Sequence, residues 1–201
     1  MSDVDGLSPG FAAPVEDQQA CFRAVLEATS RPGTIVTLAG PAAPPAPLGG
    51  AMAAVALTLV DADTPLWLDD AIIAGTAPAW LRFHCGCRIV SDPAAASFAL
   101  AADAASLPPL SRFFAGTDEY PDRGATVVVA VAALGAGETL TLSGPGIAGT
   151  TTLAVTGLPQ GFVAMRAANH RLFPRGVDVI LVAGNRLVSL PRSTAVSSPG
   201  E

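Results

Sequence analysis

The residues best equipped for chemistry stand close together in Arg82-Phe83-His84-Cys85-Gly86-Cys87. His84, Cys85 and Cys87 are soft ligands, but a structural zinc site takes four ligands, commonly in two separated pairs. The distant candidates are Cys21 and His170, neither of them in a paired motif. The competing reading is a buried turn with small thiols, and no metal site is expected. Asp61-Ala62-Asp63-Thr64-Pro65 offers two carboxylates to a divalent cation, or a turn whose Asp side chains bond nearby backbone. The turn is favoured, because no phosphate-binding lysine or glycine loop accompanies it.

Gly144-Pro145-Gly146-Ile147-Ala148-Gly149 spells the dinucleotide fingerprint G-x-G-x-x-G. That fingerprint works only when a helix N-terminus follows to hold the pyrophosphate. Here Thr150-Thr151-Thr152-Leu153-Ala154-Val155 follows, a β-prone run, so a hairpin loop is expected instead. No G-x-S-x-G nucleophile elbow is expected, and only His84 and His170 could serve as a histidine base. No catalytic residue is assigned.

All eleven basic residues are arginine, and lysine is absent. This excludes a Schiff-base lysine, a Walker lysine and a lysine general base. The net charge of −6 argues against nucleic acid, whose binding rests on neutralising phosphates. The charge is unevenly spread. Between Gln160 and Arg192 stand Arg166, Arg171, Arg175, Arg186 and Arg192 with His170, against the single acid Asp178. Arg166, Arg171, Arg175 and Arg192 are candidate contacts for phosphate, phosphonate or partner carboxylates. The alternative is solvent-facing arginines and scattered ion pairs.

These residues need a scaffold. Half of the 201 residues are hydrophobic, 14% are charged and 5% aromatic, which predicts a globular core of short aliphatic side chains. The apolar runs Gly49–Val60 and Ala125–Gly137 fall short of the ~18–20 residues a membrane span needs. The acidic start lacks the features of a signal peptide, and three cysteines imply no disulfide framework, so a cytoplasmic protein is expected. A helix is predicted after Pro14 with Phe22, Val25, Leu26 and Thr29 on one face, then a strand at Thr34–Leu38 and a buried helix at Gly49–Leu59. Leu66–Leu68 and Arg88–Val90 predict strands, and Pro78–Phe83, Leu107–Phe114 and Gln160–Leu172 helices. Thr126–Val131, β-branched without polar alternation, predicts a central strand. Glu138–Leu142 pairs with Thr150–Val155, and Val177–Val182 with Arg186–Leu190, as hairpins. The expected architecture is one α/β domain over residues 14–194, with a mixed sheet flanked by helices and flexible ends at 1–13 and 195–201.

Several stretches together resemble the H-subunit family of phosphonate metabolism, PhnH. They are Phe22-Arg23 with Ser30-Arg31-Pro32-Gly33, the run Leu57 to Leu68, Leu81-Arg82-Phe83-His84, Gly116-Thr117, Gly124-Ala125-Thr126 and Leu142 to Ile147. Phe173-Pro174-Arg175-Gly176-Val177-Asp178 and Leu190-Pro191-Arg192-Ser193-Thr194 complete the set. The resemblance implies a fold like the large domain of pyridoxal-phosphate-dependent transferases, without the cofactor. It implies action with the G, I and L subunits to move the ribose triphosphate of ATP onto a phosphonate, displacing adenine. It also implies assembly with the G, I and J subunits of carbon–phosphorus lyase, and a homodimer when isolated. If this chain touches ligand, Arg82 would pair with a phosphate or phosphonate oxygen and His84 would donate a hydrogen bond. Two other readings stand beside this one. One is a stand-alone hydrolase or transferase built on His84; the other is an interaction module whose arginine-rich third docks on an acidic partner.

Overall fold

The computed structural model describes residues 7–200. Helix α1 (Pro14–Ser30) opens on a proline, with Glu16 and Asp17 in its first turn where the helix dipole favours carboxylates. It buries Cys21, Val25 and Ala28. This corrects the expected stripe: Phe22 and Leu26 are 49% and 55% exposed. Both stripes have helical spacing, and the one with smaller side chains faces inward, where α1 packs closely on the next helix. After the short strand β1 (Val36–Thr37), α2 (Gly50–Leu59) is buried at every residue from Ala51 to Leu57. A helix apolar on all sides belongs inside a domain.

Then follow β2 (Leu66–Leu68), the single turn α3 (Asp70–Ile73), α4 (Ala77–Cys85), β3 (Ile89–Val90), β4 (Phe98–Ala101) and β5 (Thr126–Ala130). The long hairpin of β6 (Ala133–Ser143) and β7 (Thr150–Thr156) leads to α5 (Phe162–His170). The chain closes with β8 (Asp178–Ala183), β9 (Arg186–Leu190) and β10 (Ala195–Ser197).

Seven strands form one mixed sheet in the order β1-β9-β8-β5-β4-β2-β3, parallel from β8 to β3 and antiparallel at the β9 and β1 end. β5 lies at its centre, as its β-branched run predicts. Alternation splits the sheet residues between two cores. Leu66, Leu100, Val128, Ile180 and Val182 pack with α1, α2 and α4. Ala99, Val127, Val129, Val179 and Leu181 face the other way. There the cover is a second, three-stranded antiparallel sheet in the order β10-β6-β7, together with Phe162 of α5. Helices therefore flank one face, while a small sheet covers much of the other.

Three expectations give way. Leu107–Phe114 is not a helix but a single 3-10 turn, Leu110–Arg112, because Pro108 and Pro109 supply no backbone donors. Residues 195–197 are not a loose tail: they form β10, and Val196 is buried. At the other end, Leu7 and Phe11 pack against the core; the expectation for residues 1–6 lies outside the described residues.

Candidate functional site

Helix α4 carries the first group of candidates. Pro78 stands in its first turn, and Gly86 closes it in the left-handed conformation (φ 67°), donating its N–H to the Arg82 carbonyl. Trp80 and Leu81 are fully buried. Trp80 Nε1 donates to the Ser8 carbonyl at 2.7 Å, and His84 Nε2 lies 3.1 Å from the same oxygen. A carbonyl only accepts, so His84 carries a proton on Nε2. Its ring centroid lies 4.7 Å from that of Trp80, with the planes tilted by 55°, and 4.9 Å from that of Phe83, edge to face. Arg82, two positions away on the helix, projects in a different direction and is exposed. His84 thus holds the segment around Ser8, while Arg82 stands in solvent. Against the expectation, the string Gly6-Leu7-Ser8-Pro9-Gly10 does spell G-x-S-x-G, yet His84 meets the Ser8 backbone carbonyl, not its hydroxyl, and makes no described bond to a carboxylate that would orient it as a base.

Cys85 and Cys87 stand on either side of the tight turn at Gly86, their thiols directed at different carbonyls, Cys85 Sγ at Ala56 (3.6 Å) and Cys87 Sγ at Leu81 (3.8 Å). The proximity of the two thiols pulls the Cys87 thiol down and, with burial, pushes the Cys85 thiol up. Burial alone raises Cys21. Of the three thiols, Cys87 is therefore the one whose ionisation is favoured, and that of Cys21 is opposed. Brief iodoacetamide treatment at pH 8 should modify the Cys85–Cys87 peptide at least tenfold faster than Cys21, read by mass spectrometry; equal labelling would refute this. Among the described residues no group of three His, Cys, Asp or Glu side chains is placed to hold a metal.

The arginine-rich third is dissected by its hydrogen bonds. Arg166 is completely buried and donates to the carbonyls of Val177 (3.3 Å), Pro191 (2.6 Å) and Thr194 (3.1 Å). Burial lowers its pKa to about 10, which leaves it charged at neutral pH. Arg192 binds the Asp178 carboxylate through its backbone N–H (2.6 Å), Nε and Nη2, and reaches the Pro121 carbonyl with Nη1. Asn169 exchanges two hydrogen bonds with the Val177 backbone, at 2.8 and 2.9 Å, and His170 Nδ1 meets the Arg192 carbonyl at 3.2 Å. Arg175 pairs with Asp118 at 3.0 Å, and Arg171 is exposed. Of the four expected anion contacts, Arg166 and Arg192 are committed to the fold's own oxygens, Arg175 shares its charge with Asp118, and Arg171 makes no ion pair among the described residues.

The two loop motifs resolve toward turns. Asp61 Oδ1 accepts from Asp63 N–H and the Thr64 hydroxyl, each at 3.0 Å, and the Thr64 hydroxyl accepts from Asp61 N–H at 2.7 Å. The glycine string links β6 to β7, with Gly144, Gly146 and Gly149 at φ 135°, 83° and 76°. These glycines serve backbone geometry rather than a pyrophosphate. At Gly146 an added Cβ would lie 2.1 Å from the Ser30 carbonyl oxygen, so the hairpin packs directly on the end of α1. Gly146→Ala should cost about 2–3 kcal/mol in urea denaturation; a loss below ~0.5 kcal/mol would show that the loop moves freely.

Sequence reasoning missed Asp69. It follows β2 where the strand order reverses between β3 and β4, the position at which open α/β sheets often bind ligands. Its buried carboxylate accepts from Ile72 N–H (3.0 Å) and Asp103 N–H (2.9 Å), tying together two loops at the strand ends. The neighbouring cleft of about 420 Å³, lined by Asp103, Ala130, Ala132 and Leu158, has no basic side chain in its lining and is unsuited to a phosphate. The signal available in sequence was only a pair of acids after a short apolar strand.

No described helix is long and apolar enough to cross a membrane. Residues 9–197 match the model of the family described as bacterial phosphonate metabolism protein (PhnH). The chain is 45% identical over 187 residues to a Rhizobium meliloti (strain 1021) protein named alpha-D-ribose 1-methylphosphonate 5-triphosphate synthase subunit PhnH, covering 93% of this chain and 94% of that one. It is 37% identical over 183 residues to a Stutzerimonas stutzeri protein named provisionally as C-P lyase subunit protein HtxG, covering 91% of this chain and 87% of that one. The long match agrees with the structure, in which the two resembling segments at 173–178 and 190–194 are bound to each other through Arg166 and Arg192. The chain belongs to the PhnH family of bacterial phosphonate metabolism proteins.

Proposed function

We propose that this chain is the H subunit of a carbon–phosphorus lyase assembly, needed with G, I and L subunits for transfer of the ribose triphosphate of ATP onto a phosphonate. In that transfer a phosphonate oxygen replaces adenine at C1 of the ribose. The observation that carries the reading is the 45% identity, over nearly the whole of both chains, to a relative named as a subunit of such a synthase. The site geometry favours a subunit over a stand-alone hydrolase. Both histidines face backbone carbonyls, and neither makes a described bond to a carboxylate or hydroxyl that would orient a base.

The G, I and J subunits are the proposed stable partners, with a homodimer as the isolated form and the cytoplasm as the site of action. The likeness to the large domain of pyridoxal-phosphate-dependent transferases belongs to the same reading; the mixed sheet is compatible with it, and a chain without lysine has no residue to bind that cofactor as a Schiff base. Within the assembly, exposed Arg82 is the proposed anion contact, and His84 acts beside it by holding the segment around Ser8.

Co-expression with the host's G, I and J subunits, followed by native mass spectrometry, tests the reading. A stoichiometric four-subunit assembly is the expected result; a chain that stays alone at low and moderate salt overturns it. With the assembly in hand, Arg82→Ala should weaken ATP binding about tenfold while the urea midpoint stays put. Unchanged ATP affinity would remove Arg82 from the proposal.

A further inference from the structure

Helix α5 turns Phe162, Arg166 and Asn169 inward. Helical spacing then directs Ala164, Ala168 and the following Leu172 outward along one side. That side forms a wall of an apolar groove of about 510 Å³, whose other wall includes Pro109, Leu110 and Phe113. Met165 lies in the groove, and an unbranched thioether adapts to varied apolar partners. Leu172 is 39% exposed and the adjacent Phe173 60% exposed, so the apolar surface continues beyond the groove. From Ala164 to Leu172 the helical wall runs about 12 Å, matching roughly two turns of a docked helix. The small alanines allow a partner backbone to approach closely.

Charge identifies the occupant. None of the residues lining the groove is acidic. Arg112 follows the lining residue Ser111, Arg171 precedes Leu172, and both arginines are exposed. Neither makes an ion pair among the described residues. In a chain of net charge −6, this is an apolar surface flanked by uncompensated positive charge. A second copy fits it poorly. Across a two-fold axis the groove would meet itself, setting like-charged rims against each other.

We propose that this groove docks a two-turn amphipathic segment of a partner subunit of the lyase assembly, with apolar anchors on the groove floor and carboxylates against Arg112 and Arg171. The inference rests on the subunit reading above. Ala164 and Ala168 are exposed, so a charge at either position leaves the core intact.

The test compares the wild-type chain, Ala168→Asp, Arg171→Glu and, on the exposed face of α1, Leu26→Asp, each co-expressed with the G, I and J subunits. Ala168→Asp should reduce recovery in the assembly at least tenfold, with an unchanged circular dichroism spectrum and melting temperature. Arg171→Glu should reduce it several-fold, most strongly at low salt, while Leu26→Asp should have no effect. Photo-crosslinking from position 168 should capture a partner peptide containing Asp or Glu. Wild-type assembly with equal recovery of Ala168→Asp overturns the groove and leaves the subunit reading standing. Crosslinks between copies of this chain overturn the choice of occupant. Failure of the wild-type chain to assemble defeats the subunit reading and the inference with it.

Discussion

Arg166→Ala is expected to destabilise the protein by about 3–5 kcal/mol, among the largest effects of any single substitution. The guanidinium is fully buried and serves the carbonyls of Val177, Pro191 and Thr194. Removing it strips the Thr194 oxygen of its described donor, at roughly 1–3 kcal/mol, takes one of two donors from the Val177 and Pro191 oxygens, and opens a cavity where the side chain packed. Relief of burying a charge offsets part of that loss. In a domain of this size, about 4 kcal/mol corresponds to a fall in Tm of roughly 8–16 °C. Arg166→Lys should recover only a fraction, since one ammonium on a flexible stem cannot span three carbonyls as a planar fork does. Urea denaturation and calorimetry measure both variants. A loss under ~1 kcal/mol for Arg166→Ala would mean that water can serve these oxygens, and the account of Arg166 as the tie between the 173–178 and 190–194 segments would fail.

Trp80→Ala should cost a similar amount, about 3–5 kcal/mol, for a different reason. The indole is completely buried beneath the segment around Ser8 and donates to the Ser8 carbonyl. Its loss opens a large cavity between α4 and that segment. Trp80→Phe separates packing from hydrogen bonding: it keeps most of the apolar contact, loses the N–H, and should cost about 1–2 kcal/mol. Limited proteolysis supplies an independent reading, because either variant weakens the attachment of residues 7–11. Cleavage there should quicken in both, and more in Trp80→Ala. Unchanged cleavage would show that His84 alone suffices to hold Ser8.

Elements with strong local patterns were legible without the structure. The proline and acids of α1, the uninterrupted apolar run of α2, the β-branched β5 and the β6–β7 hairpin all carry signals within a few residues. β4 carries none. Phe98–Ala101 lies in an alanine-rich stretch whose local composition favours helix, and it becomes a strand because β2 and β5 supply parallel partners on both sides. β10 is likewise invisible locally: Ala195–Ser197 extends because it pairs with Thr141–Ser143, more than 50 positions earlier.

The candidate site divides in the same way. Residue types excluded chemistry without any fold: a chain lacking lysine has no lysine nucleophile or P-loop, and a β-prone run after the glycine string denies it a helix N-terminus. Segment order carried the resemblance to PhnH. What required three dimensions was the use of each polar group. Arg166 and Arg171 are five residues apart and identical in type, yet one is sealed among carbonyls and the other faces solvent. Periodicity supplies a helix face but not its direction, so Phe22 and Leu26 could be placed on a stripe but not on the outside. Burial depends on which neighbours arrive from distant parts of the chain, and a charge or ring takes its role from those neighbours.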